Sequence, residues 1–186
     1  MIIGISGKSG SGKTTLSNYI KDTSKKEVIH LDIDKVGHKV LLLDEVKEEL
    51  INTFGEDVVN NELVNRKRLG EIVFDNRDEM QKLTDITWKY MQLEIDKYVS
   101  KNTNNIILIL DWLLLPITKY FEICDIKILL DIPYEVRKKR AMQRDNITEE
   151  QFDLREKASI ELDRGLFDYI LESNNKEEIR KLVKRI

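Results

Sequence analysis

The segment Gly7-Lys8-Ser9-Gly10-Ser11-Gly12-Lys13-Thr14 fits the spacing Gly-x-x-x-x-Gly-Lys-Ser/Thr in full, and it constrains the chain more than any other feature. An apolar run, Met1–Ser6, precedes it and a helix-periodic stretch, Lys13–Lys21, follows it. That order of strand, loop and helix is the one a phosphate-binding loop requires. Glycine lets the backbone curl so that successive N–H groups point at one centre, and the first turn of the following helix adds the positive end of its dipole. Gly7, Gly10, Ser11 and Gly12 are then expected to wrap the phosphates of ATP, with the Lys13 ammonium bridging β- and γ-phosphate oxygens and the Thr14 hydroxyl ligating Mg²⁺. The chain holds 8 glycines, and Gly4, Gly7, Gly10 and Gly12 all fall before Lys13. Glycines at 7, 10 and 12 do not form the dinucleotide fingerprint Gly-x-Gly-x-x-Gly, so nicotinamide chemistry is not expected.

Further along, the short apolar runs Val28–Leu31, Ile106–Leu110, Ile126–Asp131 and Asp168–Leu171 alternate with stretches of helical spacing. These helical stretches are Val40–Thr53, Arg66–Phe74, Glu79–Val99, Tyr134–Arg144, Glu149–Asp163 and Lys176–Lys184. Unbroken apolar strands joined by helices imply an α/β fold, a parallel sheet of roughly five strands with helices on both faces. Pro116 and Pro133 follow the third and fourth runs, where proline ends pairing without the loss of a needed N–H. Thr148-Glu149-Glu150-Gln151 reads as an N-cap with its capping-box partner, which leaves 144–147 as a short loop between two helices, a place for a lid.

A chain of 186 residues is expected to form a single domain with a core large enough to need neither disulfide nor structural metal. The lone Cys124 allows no disulfide framework and no cysteine zinc cluster. The net charge of −3, from 31 Lys+Arg against 34 Asp+Glu, argues against a nucleic-acid-binding surface. No apolar run approaches the ~20 residues that cross a bilayer, and the opening residues lack the basic-then-apolar order of a signal peptide. A cytoplasmic protein with small-molecule partners and no membrane or nucleic-acid association is therefore expected.

Ligands of open α/β sheets sit beyond the carboxyl ends of the strands. The second run leads into Asp32-Ile33-Asp34, and phosphoryl transfer to a hydroxyl needs a carboxylate that orients the hydroxyl and accepts its proton. Asp34 is the first candidate for that base and Asp32 the second; a helix cap or a solvated turn acid is the plainer alternative for both. His38 is placed either to meet a substrate phosphate or to pack as a polar helix residue, and His30, within the strand pattern, reads as structural. Asp111 closes the third run, where it stands either as a Walker-B acid holding Mg²⁺ through water or as a loop acid. Arg137, Arg140 and Arg144, three and four residues apart, share one helix face leading towards the lid loop. Arg140 and Arg144 suit the countering of charge on a moving phosphate, whereas Arg137 reads as part of an exposed basic face.

Taken together, several stretches resemble the dephospho-coenzyme A kinase family in order and spacing, over nearly the whole chain. They are Gly7–Thr15, Leu31-Asp32-Ile33-Asp34-Lys35-Val36-Gly37-His38-Lys39-Val40, Phe54-Gly55, Val64-Asn65-Arg66-Lys67-Arg68-Leu69-Gly70-Glu71-Ile72-Val73-Phe74 and Lys139-Arg140-Ala141-Met142-Gln143-Arg144-Asp145. The resemblance implies a P-loop kinase domain over 1–186, with a helical acceptor-binding insert at about 40–99 and a lid at about 137–150. It also implies transfer of the ATP γ-phosphate to the ribose 3′-hydroxyl of dephospho-coenzyme A. ATP would then lie on Gly10–Thr15, with Thr15 added to the loop set, and Asp34 would be the base. Arg66 would hold the acceptor, with Asp32 and His38 as further acceptor-binding candidates, and Arg140 and Arg144 would act as lid arginines beside Lys13.

The chain departs from the family pattern at Ile86-Thr87-Trp88, where His-Pro is usual, and at Asp111-Trp112-Leu113-Leu114-Leu115-Pro116, where a Pro-Leu-Leu-Phe-Glu stretch is usual. It also departs near Lys157-Ala158, where Ser-Gln is usual, and at Phe167-Asp168, where Ala-Asp is usual. These positions bear on the acceptor and adenine sides, so two alternatives stand: a kinase of another nucleoside, nucleotide or small alcohol, and a nucleotide-binding relative without catalysis. A GTPase switch is disfavoured, because the chain has neither Asn-Lys-x-Asp nor Thr-Lys-x-Asp to read guanine.

Overall fold

The structure, a computed structural model, describes residues 1–74, 76–173 and 176–184. All residues of β1 (Ile2–Ser6) are buried, as a strand covered on both faces must be, and the phosphate loop joins it to α1 (Lys13–Thr23). The chain continues through β2 (Glu27–Asp32), α2 (Ile33–Val40), α3 (Asp44–Phe54), β3 (Val59–Asn60), β4 (Leu63–Val64), α4 (Arg66–Val73) and α5 (Arg77–Ser100). It ends through β5 (Ile106–Asp111), α6 (Lys119–Glu122), β6 (Ile126–Leu130), α7 (Tyr134–Asp145), α8 (Glu149–Lys157), β7 (Tyr169–Leu171) and α9 (Lys176–Val183). Two compact units result, one of Met1–Asp32 with Asn102–Ile186 and one of Ile33–Lys101.

In the first unit the strand order is β2-β5-β1-β6-β7, and every pairing is parallel. Alternation along the strands puts Ile3, Ile5, Ile107, Ile109, Ile128, Leu130 and Leu171 on one face, where they pack with Leu16 and Ile20 of α1 and Ile179 and Leu182 of α9. Gly4, of opposite parity in β1, meets Leu115 and Cys124 on the other face. Tyr120 and Phe121 of α6 are buried, and Phe121 meets Phe167 edge-on at 5.3 Å between ring centroids. Burial pushes the Cys124 thiol up to about 12, which leaves the chain's lone cysteine inert at neutral pH. No helix among the described residues is long and apolar enough to cross a membrane.

The second unit is helical. In it α2, α3 and α4 pack against α5, burying Val36, Val40, Val46, Leu50, Leu69 and Val73 with Ile86, Met91 and Ile95. The side chains of Asn65 and Asn76 accept backbone N–H groups at the starts of α4 and α5, which fixes where each helix begins. A hairpin of β3 and β4 turns at Asn61 (φ 48°) and Glu62 (φ 63°). Two successive left-handed residues favour Asn-Gly, because a Cβ is strained there by about 1 kcal/mol or more. Glu62→Gly is therefore expected to raise stability by roughly 0.5–1 kcal/mol, read as a higher denaturation midpoint, since the carbonyl that accepts from Lys47 is kept.

Three differences from the sequence expectations have local causes. The helix expected over Val40–Thr53 is two helices, because the apolar spacing Ile33, Val36, Val40 starts a turn immediately after β2 and the backbone turns extended at Leu43 before α3 begins. The helix expected to reach Asp163 stops at Lys157. Beyond that point Glu161 pairs with Lys8 at 2.7 Å and Asp163 caps the turn at Gly165, contacts that a continued helix would forgo. The third difference concerns Arg137 and belongs with the site.

Candidate active site

The loop carries left-handed backbone at Gly10 (φ 79°) and Gly12 (φ 94°). A Cβ on Gly10 would fall 2.3 Å from the Arg137 carbonyl oxygen, so glycine is required there by both conformation and space. Gly12 opens α1 without a side-chain cap, and the first turn contains no acid to offset the positive end of the helix. Lys13 donates to the Gly7 carbonyl at 2.9 Å and stands 3.9 Å from Asp111 Oδ1. Asp111 is only 4% exposed. Thr14 and Thr15 are exposed in the first turn of α1, and Ser11 is buried within the loop.

Asp111 ends β5 in register with Asp32 at the end of β2, so the two acids stand side by side at the carboxyl edge of the sheet. The second Asp111 oxygen lies 3.0 Å from His30 Nε2. A carboxylate can only accept, so Nε2 carries the hydrogen and His30 orients the acid. His30, read from the strand pattern as structural, thus belongs to the site's surroundings. Its only advance signal was a polar residue inside an apolar run two positions before Asp32. His30→Leu leaves an oxygen of a buried carboxylate without its donor and is expected to lower stability by about 1–3 kcal/mol in denaturant melts. His30→Gln, which keeps a donor, is expected to recover most of that loss.

Around α7, the expectation for Arg137 is corrected: it is not on an exposed basic face but 5% exposed. Its guanidinium donates to both Glu156 oxygens at 2.8 and 2.9 Å, to the Ile132 carbonyl at 2.8 Å and to the Ser9 carbonyl at 3.4 Å. The return of α8 alongside α7 buries it, through further pairs of Tyr134 with Asp153 and Lys138 with Glu149. Arg140 is exposed and has no ion pair among the described residues. Arg144 grips Asp145 through Nε and Nη2 at 2.7 and 2.9 Å, which with Arg155 holds the Asp145 carboxyl well below the usual carboxylate range. The capping box expected at Thr148 and Gln151 is formed. Lys8 and Glu156 were not singled out from sequence, and nothing in local spacing marks them.

Asp34, His38 and Arg66 lie in the second unit. Asp34 occupies the first turn of α2 and His38 the last, four residues apart on one exposed face. Arg66 is the first residue of α4 and is exposed next to the Asn65 cap.

A parallel sheet whose first strand feeds a complete phosphate loop, with Lys13 against a buried strand-end acid, defines a P-loop phosphotransferase. A family model for dephospho-CoA kinase matches residues 1–178. A dephospho-CoA kinase of Aquifex aeolicus is 31% identical, covering 99% of this chain and 94% of its own length. One of Fusobacterium nucleatum is 32% identical, covering 100% of this chain and 96% of its own. A crystal structure of a Thermus thermophilus protein superimposes with a TM-score of 0.80 at 23% identity, covering 100% and 95% of the two chains, and has the same fold. The chain belongs to the dephospho-CoA kinase family.

Proposed function

We propose that the chain transfers the γ-phosphate of ATP to the ribose 3′-hydroxyl of dephospho-coenzyme A, giving coenzyme A. The observation that carries this is the meeting of Lys13 with the buried Asp111 at 3.9 Å beside a complete phosphate loop, in a chain of this family. The backbone of Gly7, Gly10, Ser11 and Gly12 would bind the phosphates, with Thr14 and Thr15 at the helix start and Lys13 countering charge on the transferred group. Asp34 would orient the acceptor hydroxyl and take its proton, Asp32, His38 and Arg66 would hold the acceptor, and a helical part at about 40–99 would serve it. Arg140 and Arg144 would close over the phosphates from a lid at about 137–150. Arg144 reaches them by leaving Asp145, a solvent-exposed pairing of the kind worth about 1 kcal/mol or less. All of these parts would belong to one kinase domain over 1–186.

The residues present fit Mg²⁺. Thr14 offers a hydroxyl and Asp111 a carboxylate whose Oδ2 is held by His30, both hard oxygen donors. Among the described residues no group of three or more His, Cys, Asp or Glu gathers as a metal cage. An ion carried by nucleotide phosphates and water, with only one or two protein oxygens, needs none. When bound, Mg²⁺ would neutralise β- and γ-phosphate oxygens, with Thr14 a direct ligand and Asp111 acting through water.

The test is acceptor profiling by ADP release. Purified protein with Mg²⁺-ATP is offered dephospho-coenzyme A alongside nucleosides, nucleotides and small alcohols. Release with dephospho-coenzyme A, lost in Lys13→Ala, is the expected result. Turnover of another acceptor with none on dephospho-coenzyme A would overturn the substrate assignment.

A further inference from the structure

We infer that Glu156, near the end of α8, is a positioning residue for the phosphate loop, so that ATP affinity is set in part from the helix that follows the lid. This carboxylate is the hub of a network that reaches the loop by two routes. One runs through Arg137, which takes both Glu156 oxygens at 2.8 and 2.9 Å and donates onward to the Ser9 carbonyl at 3.4 Å. The other is direct, since Lys8 Nζ donates to Glu156 Oε1 at 3.2 Å and to Glu161 at 2.7 Å. The two residues between Gly7 and Gly10, Lys8 and Ser9, are thus both tied to α8. The third contact is steric: the Arg137 carbonyl lies where a Cβ of Gly10 would be.

Those ties act on the backbone that must curl. Gly10 sits at φ 79°, and the N–H groups of this stretch are the ones that face phosphate in such loops. A loop held in that shape before ATP arrives spends less of the binding free energy on ordering. Arg137 hydrogen bonding, opposed by burial and aided by Lys8, holds the Glu156 carboxyl below its ordinary value, so the hub is ionised at neutral pH. Simple charge counting predicts the opposite effect from positioning. Removing an anion beside a phosphate site would tighten ATP binding by Coulomb attraction alone, whereas loss of a loop support weakens it. The direction of the change therefore separates the two.

The inference rests on the loop being the ATP site, and its test tells the two failures apart. Wild type, Lys13→Ala, Glu156→Gln, Glu156→Asp and the pair Arg137→Met with Glu156→Leu are titrated with a non-hydrolysable ATP analogue and Mg²⁺ by calorimetry, beside thermal melts. The paired variant removes one charge of each sign and replaces the ion pair by apolar packing, which generally keeps stability. Expected are a roughly tenfold weaker affinity in Glu156→Gln and in the pair, and kcat at saturating ATP within about threefold of wild type. Glu156→Asp, which keeps the charge but is too short to reach Lys8 and Arg137 together, is expected to weaken binding by about threefold or more. It supplies the measurement if Glu156→Gln does not fold. Wild-type or tighter affinity in the folded Glu156 variants overturns the inference and leaves the loop assignment standing. Absent binding by wild type, or equal binding by Lys13→Ala, overturns both.

Discussion

Lys13→Ala should fold normally and transfer phosphate more slowly by a factor of about 10²–10³, as removal of one preorganised transition-state donor does. Normal folding follows from position. Lys13 is the first residue of α1, where alanine is a good helix former, and the side chain's hydrogen bond is to a loop carbonyl and not to the core. The loss in rate follows from the role proposed for the ammonium. Charge grows on the bridging and equatorial oxygens during phosphoryl transfer, and a fixed cation aimed at them is worth more inside a site shielded from water than in bulk. Asp111, which has Lys13 at 3.9 Å, would lose that neighbouring cation and keep His30, so a small drop in melting temperature is also expected. Turnover within about tenfold of wild type, with an unchanged melt, would remove Lys13 from the transfer step.

Asp34→Asn is expected to bind ATP as the wild type does and to lose roughly 10²–10⁴-fold in turnover, the range that a positioned general base contributes. The substitution keeps size and shape at an exposed position in the first turn of α2, so the fold should survive. The favourable placement of a negative charge at a helix start is lost, worth about 0.3–1 kcal/mol. What would disappear, in the role proposed for Asp34, is the ability to take the proton of an acceptor hydroxyl. Asp32→Asn is the matched comparison, because Asp32 is the second candidate and stands in β2, in register with Asp111. If Asp34→Asn turns over normally while Asp32→Asn is slow, the base role moves to Asp32; if both are normal, neither acid is the base.

Much of the first unit was legible from residue order. The strands could be read because each is buried on both sides, which demands unbroken apolar runs such as Ile106–Leu110. The start of α8 at Thr148 was legible because a capping box is a relation among residues three apart. Expectations failed where an element's length depended on distant partners. The helix drawn to Asp163 ends at Lys157, and beyond it Glu161 meets Lys8, 153 positions earlier in the chain. Arg137 shows the same limit. Its spacing to Arg140 and Arg144 suggested a shared exposed face, yet a helix returning 19 residues later buries it on Glu156.

By itself, then, the sequence determined the phosphate loop, the parallel strands and the starts of helices such as α1, α4, α7 and α8. Each of these follows from bonds, glycine conformations and periodicities spanning fewer than about fifteen residues. Only the tertiary structure decided that His30 holds Asp111, 81 residues away, that Lys13 stands opposite the same acid, and that Glu156 ties Lys8 and Arg137 together. Those meetings are set by the strand order β2-β5-β1-β6-β7 and by the return of α8 alongside α7. Neither leaves a periodic mark in the chain, because a hydrogen bond across a sheet or between helices constrains the position of two side chains and not the residues between them.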